Sequence, residues 1–137
     1  MTWLFGGKPV TEETIEGHFA FTYIITNKIN GRKYIGKKIL TFAKTRKPLK
    51  GRLRKRRSRV ASDWQTYYGS NKELCEDVKK HGSENFEREI IRFCQTKSEA
   101  SYYEAKLQFD FDAILSDSYY NSWIAVKVHR NRSLDKS

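Results

Sequence analysis

The chain is expected to fold as an α+β domain around a small central antiparallel or mixed sheet, with elements in the order β-β-α-β-α-β. Three observations predict this class. Residues 21–36, F-T-Y-I-I-T-N-K-I-N-G-R-K-Y-I-G, set two β-branched and aromatic runs around a polar K-I-N-G turn. That pattern reads as a β-hairpin with Gly31 supplying a positive φ. Two capping patterns, Ser70 with Glu73 and Thr96 with Glu99 (or Ser98 itself), open helices on either side of a strand-like stretch at 85–94. With 38% apolar and 14% aromatic side chains in 137 residues, the chain can bury one ordinary core despite 31% charge.

In chain order, residues 11–16 read as a short helix ended by Gly17. The hairpin strands follow at about 20–27 and 32–39. The next segment, 37–59, contains Pro48 and Gly51, which interrupt any long helix, so a loop with a helical turn or two is expected. A helix from Ser70 to about Lys80 ends at His81-Gly82. A strand at 85–94 and a longer helix to about Leu115 come next. Tyr119-Tyr120-Asn121 begins a last strand, 122–128. A single domain over 1–137 is expected, with its core at about 20–128.

The net charge of +11 is concentrated. Between Lys37 and Arg59 stand twelve basic residues and no acid; elsewhere fifteen basic residues face sixteen acidic ones. Such density repels itself unless a polyanion neutralises it, and nucleic acid is the favoured partner because each phosphate contact releases counterions. Lys37, Lys44, Lys47, Lys50, Arg52, Arg54, Lys55, Arg56, Arg57 and Arg59 are the candidate phosphate contacts. No amphipathic helix accompanies the cluster, which argues against a membrane surface, and no run approaches the ~20 apolar residues of a bilayer span. Met1 to Gly7 is too short and lacks the basic start of a signal peptide, so a cytoplasmic protein is expected. Cys75 and Cys94 lack metal-ligand spacing and read as free thiols in a reducing compartment. Trp64, Tyr67 and Tyr68 follow the basic run directly. They either stack on nucleic acid or pack Trp64 against the hairpin.

Along the second long helix, Ala100, Tyr103, Leu107, Phe111 and Ile114 recur at steps of three and four. Glu104 falls inside this apolar stripe. A carboxylate there is costly unless it pairs with an Arg or Lys of the sheet or binds a cation.

Tyr23 and the triplet Tyr34-Ile35-Gly36 resemble the signature hairpin of the GIY-YIG nuclease superfamily, here with Phe21-Thr22-Tyr23 at the first triplet. The resemblance runs from about Phe21 to Asn121 and is strongest to small free-standing bacteriophage endonucleases. It implies a metal-dependent DNA endonuclease that hydrolyses phosphodiesters. Glu104 would be the ligand of Mg²⁺ (or Mn²⁺), and no other small-molecule cofactor is implied. Tyr23 or Tyr34 would take the proton of the attacking water. Asn121 would orient a phosphate oxygen or a metal-bound water, unless it only makes the turn into its strand. The pattern's Arg falls in the crowded basic segment, at Arg46 or Arg52, or its role passes to Lys38. Double-stranded DNA is the implied substrate, and concerted cleavage of both strands would need a homodimer on DNA or sequential nicking. Two rival readings stay open: a catalytically inactive nucleic-acid-binding module, and an RNA-directed nuclease.

Overall fold

In the computed structural model residues 2–46, 51 and 56–124 are described, those at 42–46 and 56–59 by their backbone alone. A five-stranded mixed sheet organises them. β1 (Trp3–Phe5) and β2 (Lys8–Pro9) form a small antiparallel pair, followed by α1 (Glu12–Ile15). β3 (Ala20–Asn27) and β4 (Lys33–Ile39) are the expected hairpin. β5 (Thr41–Arg46) and β6 (Arg56–Ala61) make a separate two-stranded ribbon. α2 (Lys72–His81), β7 (Phe86–Cys94) and α3 (Lys97–Asp110) complete the order. The sheet reads β2-β1-β7-β3-β4; β1 runs parallel to β7, and β3 runs antiparallel to both β7 and β4. No helix among the described residues is long and apolar enough to cross a membrane.

Local chemistry explains most of these elements. The turn between β3 and β4 closes because Gly31 adopts φ 76°, and the Asn27 side chain accepts the Ile29 amide. Thr96 caps α3 by accepting from Glu99, as its spacing predicts. α2, by contrast, is capped by Asn71 and not by Ser70. The Asn71 amide oxygen accepts from Leu74, and its nitrogen donates to the Tyr120 carbonyl, 2.9 Å, so a partner remote in sequence selects the cap.

Four expectations are corrected. The described residues of the basic segment lie largely in β4 and in the β5–β6 ribbon rather than in helical turns, since pairing from Thr41↔Ala61 to Arg46↔Arg56 satisfies their backbone. α3 ends at Asp110 rather than near Leu115, because Asp112 turns the chain with φ 51° and Ala113 tucks back under Gln108. Phe111 and Ile114 therefore lie beyond the helix, exposed. Its inward face carries Ala100, Ala105 and the buried polar Gln108 instead. The last strand reduces, among the described residues, to a bridge between Tyr119 and Lys33; residues 125–128 lie outside them. Finally, Trp3 belongs to the core, its ring edge-on to Phe21 and Tyr23.

The main core lies on one face of the sheet: Trp3, Phe21, Tyr23, Ile25, Trp64, Leu74, Phe86 and Ile90. α3 covers the other face of β3, β4 and β7. Both cysteines are free, and burial pushes the Cys94 thiol up to about 12.

Candidate active site

β4 is an edge strand, and the candidate residues gather around that edge from both faces of the sheet. In the hairpin register Tyr23 pairs with Gly36 and Ile25 with Tyr34. Alternation puts the two tyrosines on one face as diagonal neighbours, with ring centroids 6.2 Å apart. Gly36 makes this possible: a β-carbon there would lie 2.5 Å from the Tyr23 hydroxyl and 3.1 Å from the Tyr34 ring. The Gly of the second triplet is thus a requirement of space.

Lys37 pairs with Thr22 and points to the opposite face, under α3. Its ammonium lies 3.7 Å from a Glu104 carboxylate oxygen and 3.0 Å from the Ser101 hydroxyl. The ion pair between a stripe carboxylate and a sheet lysine is therefore present. Glu104 keeps 17% of its side chain exposed. Burial raises its pKa, and Lys37 only partly opposes the shift.

The two faces meet where segment 118–121 runs along β4. The Lys33 amide donates to the Ser118 carbonyl and the Tyr120 amide to the Lys33 carbonyl. Asn121 then continues the ladder with its side chain: Oδ1 accepts the Ile35 amide (3.0 Å) and Nδ2 donates to the Ile35 carbonyl (2.8 Å). Gln108 from α3 donates to that same carbonyl, 3.1 Å. Asn121 is 8% exposed, so it anchors the chain to the sheet edge as well as bordering the site.

A cavity of about 300 Å³ opens beside this edge, lined by Tyr34, Lys37, Ser70, Asn71, Glu104, Gln108, Asn121, Ser122 and Trp123. It brings together Tyr34, Glu104 and Asn121 of the catalytic candidates. Tyr23 and Lys38 stand behind it. The Tyr23 phenol is buried against Tyr67 and Tyr34, and desolvation raises its pKa well above the ordinary phenol value. Lys38 donates to Asp63 at 2.5 Å and sits 4.1 Å over the Tyr67 ring. Burial also raises the Tyr34 pKa, opposed by a hydrogen bond between its hydroxyl and that of Ser70, 3.3 Å. Both phenols are thus protonated at neutral pH.

Of the remaining candidates, Lys47, Lys50, Arg52, Arg54 and Lys55 lie outside the described residues, as do the side chains of Lys44, Arg46, Arg56, Arg57 and Arg59. Trp64 packs into the core beside the hairpin residues Phe21 and Tyr23. It is 4% exposed, and its carbonyl accepts the Trp3 indole N–H. Sequence reasoning did not find Gln108 or Trp123 as parts of the site, and named Tyr67 only as an aromatic beside the basic run. Gln108 stands one turn past Glu104, a second polar residue on an inward face.

Among the described residues, no cluster of three His, Cys, Asp or Glu side chains could enclose a metal. One carboxylate beside hydroxyl and amide oxygens does suit a hard divalent cation that keeps most of its water. Mg²⁺ characteristically binds through one or two carboxylates plus substrate phosphate. The unfavourable burial of Glu104 is the observation that fits such an ion, since a nearby cation would relieve it.

The family profile described as "Putative endonuclease segE, GIY-YIG domain" matches residues 3–124. Among curated relatives, "Putative endonuclease segE" of Enterobacteria phage T4 is 34% identical over 104 residues, 75% of this chain and 40% of that protein. The chain thus spans well under half the length of that relative. No solved structure matches it. The match takes in β1 as well as the hairpin, α3 and Asn121, and on it this chain belongs to the GIY-YIG endonuclease family of the phage segE type.

Proposed function

We propose that the chain is a divalent-metal-dependent endonuclease that hydrolyses phosphodiester bonds of double-stranded DNA at the β4 edge. The observation that carries this reading is that Tyr34 and Glu104, delivered from opposite faces of the sheet, line one cavity together with Lys37 and Asn121.

Glu104 would hold Mg²⁺ or Mn²⁺, in a cavity that Ser70 and Asn121 also line. When bound, the ion neutralises charge on the phosphate and on the departing 3′-oxygen. Lys37, already within the cavity, offers a second positive charge to a phosphate oxygen. Tyr34 is the better placed of the two phenols to take a proton from an attacking water, because it lines the cavity while Tyr23 is 1% exposed. Burial raises the Tyr34 pKa, so positive charge beside the phenol, Lys37 included, is what would favour its acting as a base. Tyr23 and Tyr67 set the position of Tyr34 from behind, and the 37–59 segment grips duplex phosphates. Backbone contacts of that kind position a protein without reading bases, so sequence specificity should be low.

The test is a nicking assay on supercoiled plasmid with metal titrated from zero. The wild-type chain should cut only with Mg²⁺ or Mn²⁺, and Glu104→Ala should bind DNA without cutting it. Full cleavage by Glu104→Ala would overturn the assignment; binding without cleavage by the wild type would leave a DNA-binding module.

A further inference from the structure

Trp123 is 71% exposed at the mouth of the cavity that holds Tyr34, Glu104 and Lys37. The other two tryptophans are core residues, Trp3 at 1% and Trp64 at 4% exposure. Water contact over most of an indole is costly, and here it falls on a single residue beside the cavity. The backbone carrying it is held firmly. Two residues earlier, Asn121 makes two hydrogen bonds to Ile35, and Tyr120 before it is buried, its hydroxyl donating to Asp77 at 2.7 Å and accepting from Asn27 at 3.0 Å. The indole thus stands near the cavity two residues past an anchored point of the chain.

We propose that Trp123 is a stacking platform for a nucleobase next to the scissile phosphate. This rests on the proposed nuclease reading and deepens it. Charge points to the occupant: the chain carries a net charge of +11, and Lys37, although paired with Glu104 at 3.7 Å, lines the same cavity, so a ligand reaching Trp123 meets a cation within the site. A nucleotide offers both an anion and a flat π-face, which a peptide or lipid chain does not offer together. Stacking on aromatic side chains tolerates any base, which matches a protein whose remaining contacts are to the backbone. A base drawn onto the indole would fix the phosphate register over Tyr34 and Glu104. Trp64, for which the sequence left stacking or core packing open, is packed in the core at 4% exposure.

The test uses the full chain in EDTA, where cleavage is off, with a fluorescein-labelled 20-mer duplex and the corresponding single strand as probes. Exposed tryptophan emission, the fraction quenched by iodide, should disappear on adding either probe. Trp123→Ala should bind about tenfold more weakly, as removal of one stacked base predicts. The slope of log affinity against log salt should not change, since the phosphate contacts are untouched. Trp123→Phe should recover most of the affinity, and circular dichroism should show both variants folded. Wild-type affinity in Trp123→Ala, or iodide quenching that persists in the complex, overturns this inference alone. No DNA binding by the wild type overturns the nuclease reading and this one together. Plasmid cleavage by the wild type with Mg²⁺, run in parallel, tells the two failures apart.

Discussion

Asn121 binds both backbone polar groups of Ile35, its amide taking the place a strand would occupy on the open edge of β4. The residue is therefore a structural clamp and a wall of the cavity at once. It explains how segment 118–124 can border the site while only one bridge ties its backbone to the sheet. Asn121→Asp keeps the acceptor for the Ile35 amide but sets an oxygen against the Ile35 carbonyl. It should cost about 1–3 kcal/mol, the range for a buried polar group left unsatisfied. Chemical denaturation of the metal-free protein measures this, and a cost near zero would show that the clamp is not formed.

Glu104 should destabilise the protein at neutral pH. Its folded pKa is raised, so between the unfolded and folded values the native state binds the extra proton and stability falls as pH rises. Glu104→Gln should therefore melt higher than the wild type at pH 7–8. The gap should close as pH falls below the ordinary carboxylate range near ~4.3. Added Mg²⁺ should raise the wild-type stability, by about 2.7 kcal/mol at a hundredfold excess over Kd, and leave Glu104→Gln unmoved. An equal Mg²⁺ response in both proteins would remove Glu104 from the metal site.

The two phenols separate by accessibility. Tyr34→Phe should lower kcat by about 10²–10⁴-fold with little change in KM, the range for loss of a general base. Tyr23→Phe should cost less, because its hydroxyl is buried against Tyr67 and away from the cavity. Since the Tyr34 pKa is raised, wild-type log kcat should climb with pH through neutrality, and that climb should vanish in Tyr34→Phe. A larger defect in Tyr23→Phe would reverse the assignment.

Charge removal in the basic segment should act on binding alone. Replacing Lys47, Lys50 and Lys55 with Gln should lower the slope of log affinity against log salt by about 0.9 for each phosphate left without its lysine. At saturating DNA kcat should hold. A fall in kcat at saturation would place one of these lysines at the reaction centre.

Local signals were legible without coordinates. The β3–β4 hairpin occupies 20–27 and 33–39 against an expected 20–27 and 32–39, because its alternation and the Gly31 turn are written within twenty residues. The Thr96 cap and the Gly82 end of α2 are likewise matters of a few neighbouring residues. Reading failed where a distant partner decided. Asn71 displaced Ser70 as a cap because Tyr120 stands beside it. The sequence left Trp64 between stacking and packing; packing is what the structure shows, with Trp3 reaching its carbonyl from β1, sixty-one residues earlier. The apolar stripe on α3 was drawn too far, since its inward face gives positions to Glu104 and Gln108 and the helix stops at Asp110.

The amino-acid sequence by itself determined the hairpin with its two tyrosines, the carboxylate set among apolar neighbours, and the concentration of positive charge between Lys37 and Arg59. These depend on short-range periodicity and composition, which no partner can change. Only the tertiary structure decided that β4 would be an edge. It alone carried Glu104 around from the far face, put Tyr34 in front of Tyr23, and left Trp123 rather than Trp64 open to solvent. Those outcomes follow from which strands pair and which rings find room in the core, and both are settled by contacts between residues far apart in the chain.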